Sequence, residues 1–204
     1  MGFYRDQVLP RINDSIMSRG DFAVIRRRVC AGLAGEVIEV GFGSGLNVPC
    51  YPRDVARVRA VDPATVGRKL AARRVAASPV PVAYIGLDGQ DMPADSASAD
   101  HVLSTWTLCT IPDPERALRE IARVLRPGGS FRFAEHGLSP DPGVARWQHR
   151  LTPWQRRVAG GCHLNRPISQ LVAGSGLEVI RLDTYYLPGP KALGYIFEGT
   201  ARKA

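Results

Sequence analysis

The sequence predicts an α/β fold: a mixed sheet of seven strands with helices on both faces and the last strand antiparallel. Three observations point there. Short β-rich runs alternate with helical patterns along the 204 residues, the rhythm of a parallel sheet with helices on its crossovers. The last two runs are joined by LPGPKA, 187–192, which has no room for a crossover helix, so they pair antiparallel. The first run, EVIEVG at 36–41, is apolar apart from Glu36 and Glu39, as befits a strand covered on both sides. The length suits one domain, 1–204.

In chain order, residues 1–34 read as a helical cap, with a helix over 20–34 that aligns Phe22, Ile25, Val29 and Leu33. Strands are expected at 36–41, 57–61, 80–86, 99–104, 130–135, 177–184 and 193–200. After the first strand the chain should turn sharply into a helix near Leu46. The clearest helix is 113–126: Asp113 caps it, Pro114 takes its first position, and Leu118, Ile121, Ala122 and Leu125 form its stripe. RPGG, 126–129, stops it. Within a lid-like insertion, 138–166, residues Val144, Trp147, Leu151, Trp154 and Val158 recur at spacings of three and four. Pro153 should break or kink that helix. Two placements are open to the segment: a lid whose stripe packs over a cleft, or an element lying on a lipid surface.

Composition excludes several classes. No run approaches the ~20 apolar residues of a membrane span. The start, MGFYRDQVLPR, carries neither a signal-peptide core nor the Ser or Thr at position six of a myristoylation signal, so a cytoplasmic protein is expected. The net charge is +8, but 24 of the 27 basic residues are Arg, a bias that looks like GC-rich codon usage. The single basic triplet, Arg26–Arg28, has no interleaved aromatics, which argues against nucleic acid. Cys30, Cys50, Cys109 and Cys162 show no CxxC spacing; they are expected to be reduced core thiols, with no metal site.

The glycines that end the first strand, Gly41, Gly43 and Gly45, carry the functional signal. Glycine at the carboxyl end of a central parallel strand permits positive φ and lets a ligand approach the backbone. The spacing GxGxG sets the third glycine one residue earlier than the dinucleotide fingerprint, which favours a ligand without pyrophosphate. Asp62 follows the second strand and can accept hydrogen bonds from both hydroxyls of a ribose, or can cap a helix before Pro63. Asp88 and Gly89 follow the third, where a carboxylate can take an adenine amino group. Ser104 and Thr105 end the fourth. Together these marks are far more specific than any one of them.

With these motifs the chain resembles the class I S-adenosylmethionine-dependent methyltransferases of the ubiquinone/menaquinone-biosynthesis type, over about residues 36–200. The likeness rests on EVGFGSG, the VDP acid, LDGQDMP and REIARVLRPGGSFRF at 119–133. STWTLCTIPDPERAL, FAEHG and GGCHLNR bring it nearer the methyltransferase-like-seven group of alkyl thiol methyltransferases. The resemblance implies a Rossmann-like class I fold, S-adenosylmethionine as cofactor and S-adenosylhomocysteine as product. It assigns Glu39 and Gly41, Phe42, Gly43, Ser44 and Gly45 to the methionine end and ribose edge. Asp62 with Pro63 would bind the ribose, Asp88 with Gly89 and Gln90 the adenine, and Ser104 with Thr105 would lie near the methionine. Phe42, in place of a small residue, would narrow the pocket. The apolar anchor of the animal thiol enzymes is not seen, so membrane contact is expected to be at most peripheral.

Methyl transfer from a sulfonium needs alignment and desolvation more than elaborate chemistry. His136 and His163 are the candidate catalytic residues. Each also has a plain alternative, a histidine bonded to a loop. Tyr4, Trp106, Glu135 and Asn165 are the candidate acceptor contacts, with Arg5 beside Tyr4. Glu135 could instead orient His136 or meet the cofactor's ammonium. The expected acceptor is small and largely apolar, with a thiol first, since a thiol ionises near pH ~8.5 and needs little help. An isoprenoid quinone precursor, a phospholipid amine and a non-catalytic nucleotide-binding role remain open, as does the oligomeric state. RNA is disfavoured because Ser104–Thr107 replaces an Asn-Pro-Pro-Tyr-like motif.

Overall fold

The computed structural model describes residues 3–204, apart from the side chains of Arg5 and Asp6, so the expectation for Arg5 lies outside the described residues. Seven strands form one sheet: β1 (Gly35–Val40), β2 (Val55–Val61), β3 (Val82–Gly86), β4 (Ala99–Thr105), β5 (Leu125–His136), β6 (Glu178–Tyr186) and β7 (Tyr195–Arg202). Their order is β3-β2-β1-β4-β5-β7-β6. Pairings among β1 to β5 are parallel, and β7 runs antiparallel to β5 and to β6, the latter as the short LPGPKA link requires.

Two-residue alternation sorts each strand between two cores. Ile38 and Val40 of β1, Val102 of β4, and Phe131 and Phe133 of β5 face the side covered by α4 (Pro114–Val124) and α6 (Ile168–Ala173). Val37, Leu103 and Ala134 face the side covered by α2 (Gly20–Cys30) and α3 (Thr65–Ala76). The stripe read for α4 holds: Leu118 and Ile121 are fully buried, each side chain stabilising by roughly 1.5–3 kcal/mol. Asp113 caps that helix by accepting from the Arg116 amide at 2.9 Å. The N-terminal segment adds a π-helical turn, Tyr4–Val8, and α1 (Leu9–Met17). Among the described residues no helix is long and apolar enough to cross a membrane.

Three expectations need correction. No α-helix follows the glycine turn near Leu46; a single 3-10 turn, Val48–Cys50, leads on toward β2. Pro49 sits within that turn, and Tyr51, the residue before Pro52, is extended (φ −67°, ψ 127°), which ends it. The segment 140–160 contains one unbroken helix, α5 (Pro142–Val158), that runs through Pro153. Its apolar stripe does not pack inward as a whole: Val144, Leu151 and Val158 are half-buried, but Trp147 is 57% and Trp154 59% exposed, whereas Gln148 and Thr152 are buried. Gln148 explains the inversion. Its amide donates to the Gly137 carbonyl at 3.0 Å and accepts from the Ser139 amide at 2.8 Å, satisfying the chain as it leaves β5.

Candidate active site

The carboxyl ends of β1, β2, β3 and β4 converge on the glycine turn. Gly41, Gly43 and Gly45 all have positive φ, from +54° to +78°. They differ in what a side chain would meet. A Cβ on Gly41 would overlap the Thr107 side chain, whereas one on Gly43 would find only the Gly41 carbonyl, 3.9 Å away. Gly41 therefore lets β1 and the β4 loop touch, and Gly43 presents bare backbone to the space above the turn. Ser44 uses its carbonyl to accept from Arg74 at 2.9 Å.

Asp62 closes the turn from the β2 side. Its two oxygens accept from the Gly43 amide at 2.7 Å and the Ala64 amide at 2.6 Å. Burial raises its pKa, and those two amides oppose the rise. Each oxygen keeps a further lone pair, so a diol hydrogen bond remains open. Pro63 beside it is exposed. Phe42 is 3% exposed and packs edge-on to Tyr84 with centroids 5.4 Å apart, so its ring belongs to the wall of the site.

Glu39 lies under the turn, 1% exposed. Asn47 donates to it at 3.0 Å and Tyr51 donates through its hydroxyl. Burial drives its pKa up to about 7, against the pull of the Tyr51 and Asn47 hydrogen bonds and Arg26. Asn47 also donates to the Thr105 hydroxyl at 3.0 Å, which ties β1 to β4. Its amide oxygen is buried without a partner, as is the indole N–H of Trp106. Trp106 adopts φ +52°, an unusual conformation for a bulky residue, with Arg26 4.8 Å above its ring and Phe22 edge-on at 5.1 Å.

Past β3, exposed Asp88 accepts from the backbone and side-chain nitrogens of Gln90 at 2.8 and 2.9 Å. Gly89 is buried, and a Cβ there would lie 2.6 Å from Val40, so that loop rests directly on the end of β1. Leu87 just before it is 60% exposed. The far wall comes from β5. Glu135 is fully buried and accepts from the Ser104 hydroxyl at 2.8 Å and the Thr107 and Cys109 amides at 3.1 and 3.2 Å. It braces the β4 loop rather than facing a ligand.

The loop after α5 lies on that brace, with the His163 amide donating to the Cys109 carbonyl at 2.8 Å. The imidazole Nδ1 of His163 is buried without a partner, and burial lowers its pKa. Asn165 is turned back onto α5, bonded to His149 at 2.8 Å and Thr152 at 3.1 Å. Tyr4 donates to the Val158 carbonyl at 2.8 Å, which joins the N-terminal segment to the end of α5. His136, half-buried, has Nδ1 3.8 Å from the Cys162 sulfur. Cys162 in turn lies 3.7 Å from the sulfur of Cys109. A thiol pair and an imidazole thus meet where the sequence reading expected separate core cysteines. Asn47, Tyr51, Thr107, Cys109 and Cys162 are the site residues that reading missed. A polar Asn and Tyr flanking Val48–Cys50 were the available signal for the first two.

The turn fits an adenosyl sulfonium on features of its own: bare backbone at Gly43, spare acceptor capacity on Asp62, and the orphaned Asn47 oxygen suited to an ammonium. The model of the family described as "Methyltransferase domain" matches residues 38–133. The chain is 36% identical over 180 residues to the thiol S-methyltransferase TMT1B of Rattus norvegicus, covering 80% of this chain and 71% of that protein. The protein belongs to the class I S-adenosylmethionine-dependent methyltransferases. S-adenosylmethionine is its methyl donor. The methyltransferase is also 29% identical to a phosphatidylethanolamine N-methyltransferase of Cereibacter sphaeroides, covering 76% of this chain and 77% of that one. In fold it matches the solved geranyl diphosphate methyltransferase in complex with S-adenosylmethionine, with a TM-score of 0.72 at 14% identity over 100% of this chain and 92% of the other.

Proposed function

We propose that this methyltransferase methylates the sulfur of a small, largely apolar thiol. The observation that carries the reading is the condition of Glu135. Glu135 is fully buried beneath the β4 loop and bonded to Ser104, Thr107 and Cys109, so it is out of an acceptor's reach. The titratable side chains left on that edge are imidazoles and thiols. Such an edge suits an acceptor that ionises readily, where a ring carbon or phenol would need a positioned base. The likeness to the rat thiol S-methyltransferase supports the same acceptor.

S-adenosylmethionine supplies a methyl group on a cationic sulfur, from which it leaves by in-line displacement. In this reading Asp62 orients the ribose, Asp88 and Gly89 with Leu87 hold the adenine, and Asn47 takes the ammonium. His136 accepts or shares the acceptor's proton, and Trp106 forms the apolar side of the acceptor space. Catalysis is then mainly alignment and exclusion of water. The enzyme would work in the cytoplasm.

Transfer of labelled methyl to butanethiol, to a quinol precursor and to an ethanolamine phospholipid tests the choice. The reading expects butanethiol to be the favoured acceptor. Preference for either other compound overturns it. The phospholipid is the second reading, favoured by outward-facing Trp147 and Trp154 with Arg146 and Arg150 on the same helix, a composition that suits peripheral contact with a lipid surface.

A further inference from the structure

Cys109, His136 and Cys162 come from three separate parts of the chain: the loop after β4, the end of β5 and the loop after α5. Their ligand atoms all lie within 4.8 Å of one another. The sulfurs are 3.7 Å apart, and the Cys162 sulfur is 3.8 Å from His136 Nδ1. Zinc bonds of about 2.3 Å to sulfur and about 2.0 Å to nitrogen, at tetrahedral angles, set ligand atoms roughly 3.5–3.8 Å apart. The two spacings to the Cys162 sulfur are close to those of a filled coordination shell, and the third, between Cys109 and His136, is within 4.8 Å.

The backbone holds the two thiols in place. Glu135 accepts from the Cys109 amide at 3.2 Å, and the Cys109 carbonyl accepts from His163 at 2.8 Å. Cys162 donates its amide to the Ala159 carbonyl at 3.2 Å, and Arg166 donates to the neighbouring Leu108 carbonyl. A disulfide is the competing use of the pair. It needs the sulfurs at about 2.05 Å, well over an ångström closer, and gives His136 no part.

We propose that Cys109, His136 and Cys162 form a binding site for a soft divalent transition-metal ion, zinc foremost. Two thiolates and an imidazole favour zinc over the hard ions magnesium and calcium. Binding releases the two thiol protons to solvent, and the two thiolates neutralise the ion's double charge. The remaining charged groups here, the Arg166 guanidinium and the Glu135 carboxylate, are opposite in sign. Both thiols are buried and His136 is half-buried, so the ion enters past the imidazole. Three protein ligands leave a coordination position free, the pattern of catalytic zinc sites. On the thiol-acceptor reading, on which this last step rests, the acceptor's sulfur fills that position as a thiolate, its proton passing to solvent, and His136 is then a ligand in place of a proton acceptor.

The test is a titration of the full chain, reduced and stripped of metal by a chelator, with Co2+ as the spectroscopic probe. A thiolate-to-cobalt charge-transfer band should saturate at one equivalent and be bleached by Zn2+. It should vanish in the Cys109→Ser/Cys162→Ser double variant, and His136→Gln should weaken Co2+ binding at least tenfold, with circular dichroism reporting that each variant is folded. No band in the wild-type protein, or an unchanged band in the double variant, overturns the site; the first needs no variant to fold. Adding butanethiol to the cobalt form should shift its visible bands. An unshifted spectrum overturns acceptor coordination alone, and an intact band without butanethiol methylation would count against the acceptor while leaving the metal site standing.

Discussion

Gly43→Ala and Gly41→Ala separate the two uses of the glycine turn. At Gly43, φ is +54° and a new Cβ meets no protein atom nearer than 3.9 Å. The cost to folding is then the left-handed backbone alone, about 1–2 kcal/mol. At Gly41, φ is +78° and the Cβ would overlap Thr107, lying 2.6 Å from that residue's own Cβ. Thr107 must shift, which adds about 1–3 kcal/mol of overpacking and brings the loss to about 2–5 kcal/mol. Binding should discriminate differently. In the proposed site the Gly43 methyl would stand where the cofactor lies, so affinity for S-adenosylhomocysteine should fall at least tenfold, about 1.4 kcal/mol. Urea unfolding and titration calorimetry on both variants give the two numbers. If Gly43→Ala loses only its backbone cost and binds S-adenosylhomocysteine like the wild type, the cofactor does not lie on the turn.

Asp62→Ala should weaken S-adenosylhomocysteine at least tenfold by calorimetry, since it removes the proposed diol acceptor and the tether to the Gly43 amide; unchanged affinity would remove its role. Glu39 should make stability depend on pH. Burial raises its folded pKa from 4.5 to about 7, so its favourable share is complete below pH 4.5 and is lost as pH rises through about 7. The shift amounts to about 3 kcal/mol. Urea midpoints from pH 5 to 8 should show that fall in the wild type and a smaller one in Glu39→Gln. Gln148→Leu should cost about 2–4 kcal/mol in the same assay by stranding the Ser139 amide and the Gly137 carbonyl, although it adds apolar volume. A loss under 0.5 kcal/mol would show that those bonds are replaced.

The sheet was legible because its signals are local. Buried parallel strands are short apolar runs, α4 carries its cap and stripe within about a dozen residues, and the short link between β6 and β7, residues 187–194, leaves no alternative to an antiparallel pair. The glycine turn and the acids after β2 and β3 were legible for the same reason. What failed depended on tertiary partners. Pro52 ended the expected helix after one 3-10 turn, and Asn47 and Tyr51 acquire meaning only once Glu39 is seen beneath them. The stripe on α5 pointed the wrong way because the chain leaving β5 needs Gln148 more than the core needs tryptophan. Cys109 and Cys162 are 53 residues apart, and nothing in their spacing announces that the loops after β4 and α5 press them together.

The most direct test of the account is a crystal structure of the protein with S-adenosylhomocysteine. The ribose diol should lie within hydrogen-bonding distance of Asp62, with the ribose edge over Gly43 and the sulfur facing the side where His136 and Cys109 stand. A nucleoside lodged elsewhere, or its ribose out of reach of Asp62, would contradict it.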